Sequence, residues 1–259
     1  MTTVVEAMTE ATAELHNAAL ELKTAREAFA AQSATNVQQT KQIVNDAIAI
    51  SRVWHLDPVN GNDANDGTTY AKSKKSLHNI MAQAAPSTGH FVYLFGDLVH
   101  DRYSQCAASI AIRGSSPVQP SPDTFAYSPA RRRLSFRPES LDSPITGGIK
   151  TTSLIQFGQP INLLNIDVVL ADVSADMPAG TRTHFISTNG SKLVIDGGDI
   201  LATDPNNIGR LIQSGSSAPA GFYFRGAIAA AAQGRIFAGV ARGADPNVGK
   251  YYDTNLTSN

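Results

Sequence analysis

The stretch HLDPVNGNDANDGTTYAKSKKSLHNIM, from His55 to Met81, places three carboxylates, Asp57, Asp63 and Asp66, among asparagines and glycines. Oxygen ligands on a flexible loop are what a hard cation such as calcium takes. As an EF-hand the stretch fails. Counting from Asn62 puts Ala64 at the third position and Ser73 at the twelfth, where a ligand and a glutamate are required. A looser cation site on the same three aspartates stays an alternative, and no metal ligand set is assigned. The six histidines lack metal-ligand spacing, and there is no HExxH.

Other chemistry is equally sparse. GSSAPAG is no nucleophile elbow, and GADPNVGKY has five residues between its glycines and Tyr251 after Lys250, so it is not a phosphate loop. No GxGxxG occurs. Paired carboxylates about 5–10 Å apart would suffice for glycoside hydrolysis, and Asp167 and Asp196 are the pair to consider, as neighbours on successive turns of a repeat. No catalytic residue and no cofactor are assigned.

The elements that would carry such residues fall into two compositions. The first fifty residues contain no Gly or Pro and are rich in Ala, Glu, Gln, Lys and Leu. Met8, Leu15, Leu22 and Phe29 stand seven apart, and the step continues through Asn36 to Ile43 and Ile50. The matching d positions are Val4, Ala11, Ala18 and Ala25, then Gln32, Gln39 and Asp46. A strict seven-residue repeat keeps one seam facing its partners, which is the requirement of a left-handed coiled coil. The polar section at Gln32, Asn36 and Gln39 costs stability but fixes register and strand number. The alternative is a single amphipathic helix lying on a globular body.

Beyond Ser51, Gly, Pro, Ser, Asn and β-branched residues dominate. Leu77, Ile80, Met81 and Ala84 share one face of a short helix closed by Pro86. FVYLFGD, Phe91 to Asp97, reads as a strand. Then a pattern recurs, apolar–x–apolar–charged, in IAIRG, LSFRP, LNIDV, LVIDG and FYFRG. Its second apolar residues are Ile112, Phe136, Ile166, Ile195 and Phe224, separated by 24, 30, 29 and 29 residues. A second ladder, LIQFG from Leu154, FISTNG from Phe185 and LIQSG from Leu211, runs partly in phase. Recurrence at this period marks a solenoid, and period-2 alternation makes it a β-solenoid. The expectation is one interior column of these five residues. Outside it would run a column of Arg113, Arg137, Asp167, Asp196 and Arg225, with Arg137 beside Asp167 and Asp196 beside Arg225. A β-sandwich with coincidental spacing is the alternative. SSPVQPSPDTFAYSPARRR breaks the rhythm and reads as a projecting loop, with Arg131 to Arg133 a solvated turn or a clamp on a neighbouring subunit.

A short strand, then DPVNGNDANDGT, then a helix like SLHNIMAQA, then an apolar strand closing on GD, resembles the N-terminal part of right-handed parallel β-helix proteins, phage tailspikes and tail fibres among them. The resemblance covers about Val53 to Asp97. It implies that the Asp/Asn/Gly loop is a tight turn and that the helix caps the open end of the solenoid. With a coiled coil in front, it implies a homotrimer whose N-terminal end docks on tail or baseplate proteins. One departure is plain: tailspikes usually have more coils and a substantial C-terminal domain, whereas this sequence closes on GKYYDTNLTSN.

Composition narrows the class. An apolar fraction of 42% and a charged fraction of 17% belong to a folded chain, and a net charge of −1 gives no reason to expect nucleic-acid or membrane-surface binding. Cys106 is the only cysteine, so an intrachain disulfide is impossible. Glu6, Glu10 and Glu14 interrupt any early apolar run, and AIAAAA from Ala227 is too short to span a bilayer. The expected organisation is therefore mainly β with an α-helical stem. Residues 1–50 form a trimeric coiled coil, 51–97 a hinge and capping segment, and 98–259 a short parallel β-helix with a C-terminal tail. The expected function is that of a structural virion protein, a short trimeric phage tail fibre made in the host cytoplasm. Its partners would be itself, baseplate or tail proteins and, at the C-terminal end, a host glycan or another fibre protein. The alternatives are a tailspike depolymerase, glycosidase or lyase, and a non-viral β-helix adhesin.

Overall fold

The computed structural model describes residues 3–118, 127–136, 154–170, 184–204, 208–214, 219–249 and 251–259. The chain divides into two compact units, Met1–Ile48 and Ala49–Asn259.

The first unit is helical. Helix α1 runs Val4–Ile50, 47 residues, which at 1.5 Å per residue is about 70 Å long. It starts at a reciprocal cap: the Glu6 N–H donates to Thr3 Oγ1 at 3.3 Å, and the Thr3 N–H donates to Glu6 Oε2 at 2.7 Å. Thr9, Thr12, Thr24, Thr35 and Thr40 return their hydroxyls to carbonyls four residues back. These polar groups are therefore satisfied along the helix. Side chains from Thr3 to Thr40 are all exposed.

The second unit is built of parallel strands. A seven-stranded first sheet has the order β1 (Ser51–Leu56), β2 (Gly89–Leu94), β5 (Ser109–Gly114), β8 (Ile161–Leu164), β11 (Lys192–Asp196), β14 (Ala220–Arg225), β15 (Tyr252–Thr254). A second holds β3 (Leu98–His100), β6 (Arg132–Phe136), β9 (Ile166–Val169) and β12 (Ile200–Leu201). The third holds β4 (Ser104–Cys106), β7 (Leu154–Phe157), β10 (His184–Asn189) and β13 (Arg210–Ser214). From β2 onward the chain visits the three sheets in fixed rotation. After β14 the rotation continues through single bridges, Ile228 to Ile200 in the second sheet and Phe237 to Ile212 in the third, before β15.

Inward residues stack in register. In the first sheet one column reads Trp54, Val92, Ile112, Leu163, Ile195, Phe224, each 6% exposed or less. All five residues expected in the interior are buried, but they do not share one column. Phe136 lies in the second sheet opposite His100, and Ile166 lies there opposite Arg132. Leu163 occupies the place assigned to Ile166. The reason is Asn165. Its φ of 55° turns the chain between β8 and β9, so LNIDV is the end of one strand and the start of another. Both sheets carry the same alternation, and spacing alone could not separate them.

The glycines after the charged residue have a steric cause. A Cβ on Gly198 would lie 1.8 Å from the Ile166 carbonyl oxygen, and one on Gly226 1.8 Å from that of Gly198. The chain at this corner leaves no room for a side chain.

The N-terminal edge of the first sheet is covered. The residues after β1 fold back so that Leu56 bridges Lys74, with His55 N–H donating to the Gly67 carbonyl and Lys74 N–H to that of His55, at 2.9 and 2.8 Å. Helix α2 (Leu77–Gln83) buries Leu77, Ile80 and Met81 and packs on β4. Its N-cap is Ser76, which accepts from the Asn79 N–H. An otherwise open strand edge is thereby closed to other chains.

Candidate functional site

The Asp/Asn/Gly loop spends its carboxylates on itself. Asp57 Oδ1 accepts the N–H groups of Val59 and Asn60, both at 3.0 Å, and Oδ2 accepts from Asn60 Nδ2. Asp63 accepts the N–H of Lys75 and of Ser76 and the Ser76 hydroxyl, at 2.9, 2.9 and 2.7 Å. Asp66 takes the N–H and hydroxyl of Thr68 and an ion pair from Lys72. Burial pushes the Asp57 and Asp63 carboxyls up, but these hydrogen bonds outweigh it and leave both below the ordinary value. The Thr68 N–H and hydroxyl take Asp66 down to about 2. No three of the described His, Cys, Asp and Glu side chains converge as a metal site. The three aspartates fold a turn.

The carboxylates considered for hydrolysis lie in different sheets. Asp196 sits in the first sheet and is paired with Arg225, as the sequence indicates. Asp167 sits in the second sheet, where its neighbours are Arg133 and, on β12's side, Asp199. Arg137 lies outside the described residues. The partner of Asp167 is Arg131, whose Nη2 reaches Asp167 at 2.7 Å and Asp199 at 2.6 Å. The Ala227 N–H, helped by Arg131, holds Asp199 below the usual carboxylate range against the opposing effect of burial.

These aspartates belong to a ladder that sequence reasoning missed. Asp97 accepts the Arg133 N–H, Asp167 the Asp199 N–H and Asp199 the Ala227 N–H, at 2.9, 2.9 and 2.8 Å. Each side chain thus ties one pass of the chain to the next. The arginine run also works within the chain: Arg132 donates to the Ser115 carbonyl at 3.1 and 2.9 Å. A second missed feature is an aromatic cluster outside the main core, in which Tyr93, Phe95 and Tyr127 pack with Tyr70 and Phe91. It seats the end of the Pro-rich stretch, where Pro129 bridges Ser115.

The remaining candidate is the seam of α1. Met8, Leu15, Leu22 and Phe29 are 67, 72, 74 and 76% exposed. The side chain of Ile43 lies outside the described residues. Within the polar section, Gln32 Nε2 donates to Asn36 Oδ1 at 3.1 Å. Among the described residues these four large apolar side chains are exposed. Single exposed apolar residues mean little, and what sets these four apart is their shared seven-residue step.

No protein-family model, curated protein or solved structure matches this chain. What is established is a mainly β protein with one long N-terminal helix and three parallel sheets. Among the described residues no helix is long and apolar enough to cross a membrane.

Proposed function

We propose that this chain is a structural attachment protein, a short trimeric fibre of a phage tail. In this reading α1 is a coiled-coil stem that joins three copies and docks on tail or baseplate proteins. The three sheets are the faces of a parallel β-helix, closed at one end by α2 and the loop before it. The protein acts by adhesion, without catalytic residues or cofactor, and its place is the virion.

One observation carries the reading. A helix about 70 Å long exposes large apolar side chains at strict seven-residue steps, and an isolated helix gains nothing from such a seam. Three copies, or two, bury it by inserting each seam residue between four of a neighbour's. The rotation of the chain among three parallel sheets supports the second half, since a β-helix adds one strand to each face per coil.

Light scattering on a size-exclusion column tests it. A mass close to three times the 27.4 kDa of the chain is the expected result. A monomer would remove the stem and with it the fibre.

A further inference from the structure

The outer surface of the first sheet carries a groove of about 330 Å³ lined by Phe91, Arg113, Leu164, Asn165, Asp196 and Arg225, with Gly197 at its edge. Neither the fold nor the attachment reading uses it. Register explains its composition. Outward residues of successive strands align as Tyr93, Arg113, Leu164, Asp196, Arg225. Asn165 reaches the groove because its left-handed backbone forms the corner after β8.

The charges there are unevenly matched. Arg225 is paired with Asp196, and Asp167, Asp199 and Arg131 satisfy one another in the second sheet. Arg113 is half-buried, and no carboxylate or carbonyl among the described residues takes its guanidinium. Its only described hydrogen bond beyond the sheet is through its backbone carbonyl, which accepts from Ser115 Oγ. Two guanidiniums face one carboxylate, so the groove has an excess of one positive charge. A half-buried guanidinium that no described carboxylate takes is open to an anion, and its planar fork matches a carboxylate through two parallel hydrogen bonds.

The rest of the lining restricts what carries that carboxylate. Leu164 and Phe91 offer apolar surface to the C–H face of a ring. Asp196 is an acceptor and Asn165 both donor and acceptor, groups suited to hydroxyls. A doubly charged phosphate would set two negative charges against Asp196 where a carboxylate sets one. An acidic peptide would bring the carboxylate but no hydroxyls for Asp196 and Asn165. We infer that this groove binds a carboxylate-bearing sugar, a uronic-acid type of residue, with the acid on Arg113 and the ring against Leu164 and Phe91. Nearby Tyr223, 41% exposed, with Lys192 Nζ 5.5 Å from its ring centre, gives a polymer of such residues a second surface on the same face.

The inference names a ligand class for the attachment reading but does not depend on trimerisation, so its test is separate from the mass measurement. The full chain is titrated with sodium glucuronate, glucose, sodium acetate and inorganic phosphate by ligand-observed saturation-transfer NMR, with calorimetry for affinities. Glucuronate is expected to bind at least tenfold more tightly than the other three. Arg113→Gln should weaken it about tenfold at an unchanged melting temperature, because Arg113 has no side-chain bonds to lose. Arg113→Lys, which keeps the charge without the fork, should fall between. Binding of glucose or phosphate as tight as glucuronate would overturn the inference. So would a glucuronate affinity that survives Arg113→Gln, or an acidic peptide, poly-glutamate, displacing glucuronate at equal concentration.

Discussion

Leu15 and Leu22 on α1 are 72 and 74% exposed, whereas Leu163 and Leu193 in the body are at 0%. The same residue type at regular spacing has opposite surroundings in the two regions. In the body, register brings each apolar residue over another one strand away, so burial is completed within the chain. Along the helix the repeat is complete in sequence and unfinished in space. An apolar period closed by the fold stabilises the fold, and one left open is what the proposed association of copies would close. The comparison separates the two kinds of repeat by what a substitution should do.

The largest effect is expected at the seam. Leu22→Asp should abolish self-association, read as a drop in mass by light scattering, while the β-signature in circular dichroism persists. An unchanged mass would mean the seam is not the contact. In the body the counterpart is Gly198→Val. With the Ile166 carbonyl oxygen 1.8 Å from even a Cβ, this corner of the chain must open, at a cost of about 3 kcal/mol or more. Denaturant unfolding reads this, and oligomeric mass at low denaturant should not change.

A pH titration distinguishes the regions without mutation. His100 is buried against Phe136, with ring centroids 5.8 Å apart, and its Nε2 has no partner among the described residues. Burial, then the nearby His78, lower its pKa to about 3, with only the Arg102 carbonyl acting the other way. Since the folded value lies below the ordinary 6.5, the unfolded chain binds the proton first. Stability is therefore full above about pH 6.5 and falls as pH decreases toward 3. The loss between pH 7 and pH 5 should be about 2 kcal/mol, and His100→Phe should flatten that slope. Asp57 and Asp63 have depressed values, so their contribution is present above the ordinary 3.8 and disappears as pH falls below it. They add a second, more acidic step.

Smaller effects belong to the loop and the surface. Asp63→Ala leaves the Lys75 and Ser76 N–H groups without their acceptor, costing about 1–3 kcal/mol in thermal unfolding. Arg131→Ala removes two contacts from a half-exposed side chain and should change stability by about 0–1 kcal/mol. A larger loss would show that the Asp97, Asp167 and Asp199 ladder depends on its counter-ion.

Much of this organisation was legible beforehand, for reasons that differ by element. The long helix needed only the absence of Gly and Pro over the first fifty residues. Helix α2 was readable because Ser76, the Leu77, Ile80 and Met81 face and Pro86 are local signals. The strands were readable by alternation, and the Asp196–Arg225 pair by register within one sheet. What failed was the assignment of Phe136 and Ile166, and with it the pairing of Asp167. A strand after a corner looks like its predecessor, and only the left-handed Asn165 distinguishes them.

The sequence by itself determined which residues are apolar, at what period, and where the chain must turn, because backbone propensity and alternation act over a few residues. The tertiary structure alone decided which passes lie side by side, since pairing joins residues about thirty positions apart through hydrogen bonds that no local pattern encodes. That is why the aspartate ladder, the Tyr93–Phe95–Tyr127 cluster and the groove at Arg113 became visible only once the strands were in register.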